Sequence, residues 1–432
     1  MQKQFFFIVI FSCLLSSCNL RDNTNISTFD KVIEVKCEQS DTELLINMGW
    51  IGCVDTFLVM THIAQKDFCN VYSIPSGMKK IYAYGSLGNG PGEFLQPMIT
   101  YAHENTFGLN DINTQTLAVM SLNDSKDGVV VKELSRNRVP YKRKKGELNP
   151  ADYNFVKLDD KHFVSLLCGK DGSFFSLLDS NLQPLQRFGN SPIEGELSMQ
   201  SSRMNLKGCL SAYEGNMVFT PNKLPYLAKY HLENDVMIKD WSFYFDKSFY
   251  ECKNSDLLFS KERSFGQVLD LAMDDKYIYV LYLDQLLSDY DFKDPHKSMA
   301  NKILIFDYKG LPIAKLLLDK RIYRIALCTK LHKIIGLGNM PEPTLVSFHN
   351  FRREWGISLR LSPYIRIYHL VLLSIICIIV RYIMVCEVSG STSLSLLSLL
   401  KLSNHEKVLS TIHLLDGTVN FLAASGLSMF AV

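Results

Sequence analysis

A repeat constrains this chain more than any other feature. A short polar turn followed by a β-rich run recurs at Asp55–Thr61, Asn105–Asn110, Asp159–Leu167, Glu214–Thr220, Asp274–Leu283 and Leu331–Gly338. Aligned on Phe57, Phe107, Phe163, Met217, Ile278 and Ile334, the runs are spaced by 50, 56, 54, 61 and 56 residues. Self-similarity at a near-fixed period marks a chain built from one stacked supersecondary unit. A second run follows in several units, as at Thr116–Asp124, Ser173–Pro184, Tyr226–Asp235 and Lys302–Pro312. The Asp307–Gly310 turn suits a hairpin, because Gly310 can take a positive φ between alternating apolar flanks. Asp179–Asn181 fills the same place in the third unit. No long stretch of helical period lies between residues 30 and 350. Four strands in each of six units predict an all-β six-bladed β-propeller; a β-sandwich leaves the six-fold period unexplained.

Composition agrees with a packed, strand-rich body. The 20 Tyr and 26 Phe suit strands, and 47% apolar against 21% charged residues excludes disorder as the main state. Lys and Arg number 46 against 44 Asp and Glu. A balance so near neutral gives no electrostatic footing for nucleic acid.

Closing the ring needs its own account. The last unit, near 322–350, has room for two or three strands. The segment Asp30–Ser40 alternates apolar and polar residues at the other end of the propeller, so it is predicted to complete the last blade and remove an open edge.

Upstream, residues 1–17 read as a signal segment, with Lys3 before an apolar run from Phe5 to Leu15. Leu15-Ser16-Ser17-Cys18 resembles a bacterial lipobox. The resemblance implies cleavage before Cys18 and acylation there, and two or more acyl chains hold a soluble domain at a membrane where one does so only marginally. Residues 18–29 are polar and turn-rich, a short tether. Export permits disulfides. Seven cysteines are scattered through the repeats (Cys37, Cys53, Cys69, Cys168, Cys209, Cys252, Cys328), with no CxxC, and spacing alone assigns no pairs.

The most specific motif is Tyr84-Gly-Ser-Leu-Gly-Asn-Gly-Pro-Gly-Glu-Phe-Leu-Gln-Pro97. Gly88, Gly90 and Gly92 permit backbone geometry closed to other residues, Pro91 stiffens the turn, and Phe94 is placed to plug the gap between blades. The stretch resembles the blade junction of NHL-type six-bladed propellers, with a degenerate copy at Phe188–Pro192. Ile303–Pro312 and Gly338–Phe348 are similar to the closing blade of TolB-like six-bladed propeller lipoproteins. With the lipobox, the resemblance covers about residues 5–350. It implies a cell-envelope lipoprotein and brings no catalytic residues with it.

Other motifs say less. The glycine run lacks the order of a dinucleotide fingerprint. Arg136, Arg138, Lys142, Arg143, Lys144 and Lys145 form a basic cluster, read as a loop between units two and three that could contact anionic groups or simply be solvated. Asp289, Asp291 and Asp294 lack the glycine turn and bidentate Glu of a calcium loop. No HExxH and no G-x-S-x-G occur, so no metal and no cofactor are expected. After about Asn350 the repeats stop. Residues 351–432 form an atypical apolar tail, open to three readings: a membrane helix at about 367–386, a helical or disordered appendage, or sequence from a shifted frame.

The expectation is a lipid-anchored, non-enzymatic propeller of the cell envelope, an outer-membrane lipoprotein facing periplasm or cell surface. It would bind a protein, peptide or glycan, and no nucleic acid. The alternative is a propeller enzyme, a glycan lyase or lactonase-like hydrolase, with its site in the central channel.

Overall fold

The computed structural model describes residues 28–41, 49–62, 67–88, 90, 92–125, 128–138, 155–167, 173–339 and 342–349. The signal segment, Cys18, Pro91, Lys142, Arg143, Lys144, Lys145 and the tail 351–432 lie outside the described residues. Among the described residues no helix is long and apolar enough to cross a membrane.

Two short strands open the described chain, β1 (Val32–Val35) and β2 (Glu38–Gln39). Six blades follow. The first holds β3 (Trp50–Val54), β4 (Phe57–Thr61), β5 (Asp67–Ser73) and β6 (Lys79–Ser86). The second holds β7 (Pro97–His103), β8 (Thr106–Asp111), β9 (Thr116–Ser125) and β10 (Gly128–Arg138). The third holds β11 (Phe155–Lys157), β12 (Phe163–Leu166), β13 (Phe175–Leu178) and β14 (Pro184–Phe188). The fourth holds β15 (Gly208–Tyr213), β16 (Asn216–Pro221), β17 (Tyr226–Glu233) and β18 (Val236–Tyr244). A hairpin, β19 (Tyr250–Lys253) and β20 (Asp256–Phe259), leads to the fifth blade. That blade holds β21 (Phe265–Met273), β22 (Tyr277–Leu286), β23 (Ala300–Asp307) and β24 (Pro312–Ile322). The sixth holds β25 (Arg324–Cys328), β26 (Lys333–Asn339) and β27 (Pro343–His349). Each blade is an antiparallel meander.

All six repeat anchors fall near the start of the second strand of a blade. The reason is burial on both faces. Blades stack face to face, so an inner strand has no wet side; Phe57 to Thr61 is buried at every position. Outer strands such as β6 and β10 are partly exposed, and the first half of β10 alternates. The polar turn before each anchor joins strands one and two. It takes a positive φ at Asp55 (55°), Glu104 (52°) and His332 (52°). In the third and fifth blades a carboxylate caps it instead. Asp159 Oδ1 accepts the amides of Lys161 and His162, and Asp274 Oδ1 those of Lys276 and Tyr277. Gly310 takes the predicted positive φ (77°), and Asp307 Oδ1 accepts the Lys309 and Leu311 amides below it. In the third unit the positive φ falls on Leu182 (62°), one residue past the predicted turn, with Asp179 Oδ1 holding the Asn181 and Gln183 amides.

The N-terminal segment is divided between two blades, a correction to its assignment to the last one alone. Strand β1 adds to the fifth blade, running parallel to β24 with Val32 opposite Lys315. Only β2 joins the sixth blade, antiparallel to β27 with Glu38 opposite Ser347. Between them the Cys37 amide donates to Asp319 Oδ1 on β24 at 2.9 Å, which turns the chain from one sheet to the next. Glu38 accepts from Lys333 Nζ (2.7 Å) and Ser347 Oγ (3.2 Å). Blade one then packs on blade six through Cys53, Leu58, Met60, Tyr72, Ala326, Cys328, Ile335 and Leu337.

Candidate functional site

First strands line the axis of a propeller, and here they enclose a cavity of about 1240 Å³. All six blades contribute to the lining: Trp50–Cys53, Met98–His103, Val156, Lys207–Tyr213, Asp270–Met273 and Arg324–Leu327. Walls of the middle are apolar, through Ile99, Leu210, Leu271 and Ile325. Two polar mouths differ. One lies at the turns between first and second strands and carries Asp55, Glu104, Asn105, Thr329 and Lys330. There Lys330 Nζ is spent on Asp55 Oδ2 at 2.6 Å.

The other mouth lies where first strands begin, and it carries Trp50, Lys207, Asn222, Asp270 and Arg324. Arg324 Nη1 donates to the Leu269 carbonyl at 2.9 Å, while Nε finds no hydrogen-bond partner among the described residues. Burial raises the Asp270 carboxyl above the usual carboxylate range, opposed by the Arg324 charge. Both Asp270 oxygens accept amides, Oδ1 from Leu271 (3.0 Å) and Oδ2 from Ile325 (2.8 Å), so the side chain ties blade five to blade six. Burial likewise pushes the Cys209 thiol up to about 12, which makes it a poor nucleophile at neutral pH. Among the described residues no three His, Cys, Asp or Glu side chains converge as a metal site.

The glycine-rich stretch lies elsewhere, at the junction between the first and second blades. Gly92 has a φ of 80°. A Cβ on Gly88 would come within 2.1 Å of Glu93 Oε2, and that same oxygen accepts the Gly90 amide at 2.7 Å. Phe94 is fully buried, edge-on to Phe68 of blade one at 5.1 Å. From blade two, the Arg136 guanidinium lies 3.9 Å over the Phe94 ring and donates to the Glu93 carbonyl at 2.8 Å. It also makes a bidentate pair with Glu133 (3.0 and 2.7 Å). Arg136 and Arg138 stand on strand β10 rather than in a loop. Arg136 is thus already committed to a carboxylate, a carbonyl and a ring, which leaves it no free fork for an external anion.

Sequence reasoning missed the channel residues. Their signal is spread over six segments about one repeat apart, and a polar residue opening a first strand looks like any strand-edge residue.

A search of the curated proteins finds no significant match. Among solved structures the chain is similar to a luciferin-regenerating enzyme at 10% identity, covering 70% of this chain and 91% of that one, with a TM-score of 0.38. It is similar to Hsv2 of Kluyveromyces lactis at 12% identity, covering 71% and 79%, with a TM-score of 0.35. It is similar to BamB of Moraxella catarrhalis at 11% identity, covering 69% and 84%, with a TM-score of 0.33. At these scores the three likenesses bear no functional argument. The model of the TolB-like 6-blade propeller-like family matches residues 28–329, and with six blades and that span the chain belongs to this family.

Proposed function

We propose that the protein is a binding module of the cell envelope, tethered through an acylated Cys18, whose channel takes part of a protein, peptide or glycan ligand. One observation carries this reading: Trp50, Lys207, Asn222 and Arg324 line the channel at the mouth where first strands begin. Amide, ammonium and guanidinium groups at one opening are donors suited to ligand oxygens. With the Trp50 indole in the same lining, they suit a ligand that is apolar on one side and oxygen-rich on the other. The enzyme reading is less well supported, because both oxygens of Asp270, the carboxylate at that mouth, are occupied by backbone amides.

The test uses envelope-derived peptides and oligosaccharides, with tryptophan fluorescence as readout. Saturable quenching by one class, weakened at least tenfold by Arg324→Ala and lost as a signal in Trp50→Phe, supports the channel. Binding unaffected by either change moves the site off the channel, and turnover of the probe would restore the enzyme reading.

A further inference from the structure

Two cysteines that spacing could not pair meet where the ring closes. Cys53 is the second-last residue of the first strand of blade one, and Cys328 is the last residue of the first strand of blade six. Strands β3 and β25 are neighbours across the seam, and both side chains belong to the one apolar cluster that joins these blades. Cys328 Sγ donates to the Asp55 carbonyl, two residues beyond Cys53, at 3.3 Å. The two thiols lie close enough for each to shift the other's ionisation. Cys53 is 8% exposed and Cys328 is fully buried.

We infer that Cys53 and Cys328 form a disulfide that locks the first blade to the last. Both are thiols in the structure. Forming the bond removes two protons and two electrons, which a disulfide of the glutathione or thiol-oxidoreductase class accepts. One thiolate attacks that disulfide and expels one thiol. The second cysteine then attacks the mixed disulfide and expels the other. Burial of both sulfurs places this exchange before the seam closes, as the last blade docks. Afterwards the same burial shields the bond from reductant. The Cys53 thiol is pushed up by burial and then by its partner, while hydrogen bonding from Cys53 holds Cys328 below the ordinary thiol range.

The bond would span nearly the whole propeller, so its effect falls on the unfolded chain, which it turns into a large loop. Exposed Cys252 and buried, solitary Cys69 serve as internal controls.

The experiment refolds the full chain in a glutathione redox buffer, denatures it in iodoacetamide and maps the peptides without reduction. The expected result is a cross-linked Cys53–Cys328 peptide, with Cys69 alkylated. Its melting temperature should lie about 5–10 °C above that of a Cys53→Ala/Cys328→Ala variant, a gap that closes when the chain is refolded with reductant. Alkylation of both Cys53 and Cys328 at the most oxidising glutathione ratio overturns the inference. So does either one pairing with a different cysteine. If the double alanine variant fails to fold, the single variant Cys53→Ser decides: it must leave Cys328 alkylated while the wild type does not.

Discussion

Phe94 fills a gap that no neighbouring backbone can close, since its ring touches Phe68 on one blade and Arg136 on the next. Phe94→Ala is therefore expected to cost about 3–5 kcal/mol, because the two blades cannot both collapse onto the void. Arg136→Ala removes a cation–π contact, the hydrogen bond to the Glu93 carbonyl and the bidentate pair with Glu133 while Phe94 stays in place, and should cost about 1–3 kcal/mol. Guanidinium unfolding measures both, and equal losses would mean that the ring contributes nothing beyond its contact with the arginine. Asp270 makes a pH-dependent prediction. Its carboxyl is raised by burial against the Arg324 charge. In the unfolded chain it ionises near 4, whereas the folded chain keeps the proton to higher pH. Folding binds a proton in that window, so this group's contribution is complete below pH 4 and is lost as pH rises through the folded value. Relative to wild type, Asp270→Asn should gain in melting temperature between pH 4 and 7. An unchanged difference across that range would show that Asp270 is not buried as an acid.

At the scale of elements, the ring is closed by very little chain. Eight residues, 32–39, add one parallel strand to the fifth blade and a two-residue strand to the sixth. A chain that starts at Ser40 leaves β24 and β27 as open edges with their amides unpaired, a template for edge-to-edge association. It should melt several degrees lower and scatter light in proportion to concentration, while a full-length Glu38→Gln control loses only an exposed pair worth under about 1 kcal/mol. If the shortened chain stays monomeric and melts with the parent, the strap is dispensable. This strap also shows what sequence could and could not reveal. The second strand of every blade was legible, because a turn and a doubly buried apolar run are local features. The alternation of Asp30–Ser40 showed a strand seeking an edge, but the choice between two edges is made by Asp319 and Lys333, almost 300 residues away. The channel mouth was illegible for the same reason: Trp50, Lys207, Asn222, Asp270 and Arg324 become neighbours only when the ring closes. Helix Met199–Asn205 went unnoticed because its seven residues are too few to show a period.

For the whole molecule, the direction in which the strap leaves the disc decides what an anchored propeller would present. Strand β1 runs parallel to β24, so its first residues lie at the end of the blade where β23 turns into β24. Phe29 packs on Phe306 there, ring centroids 5.3 Å apart, and the Tyr308 hydroxyl from the same turn reaches the Asp274 carbonyl at the turn between β21 and β22. The chain therefore emerges on the face of Asp55, Glu104 and Lys330, while the mouth with Trp50, Lys207 and Arg324 faces the opposite way. If Cys18 is acylated, about ten residues separate the membrane from the disc, a reach of roughly 35 Å at full extension. A tether that short biases the first face toward the bilayer and leaves the second open to ligand. Two results are expected. Cys18→Ser should move the protein from the detergent phase to the aqueous phase, because one point of attachment carries both the acyl chains and the localisation. In vesicles carrying spin-labelled lipid, a fluorophore placed at Lys309 should be quenched more strongly than one at Asn254 in the β19–β20 hairpin. Equal quenching would mean that the tether lets the disc tumble freely, and stronger quenching at Asn254 would turn the ligand mouth toward the membrane and remove the geometric basis for capture from solution.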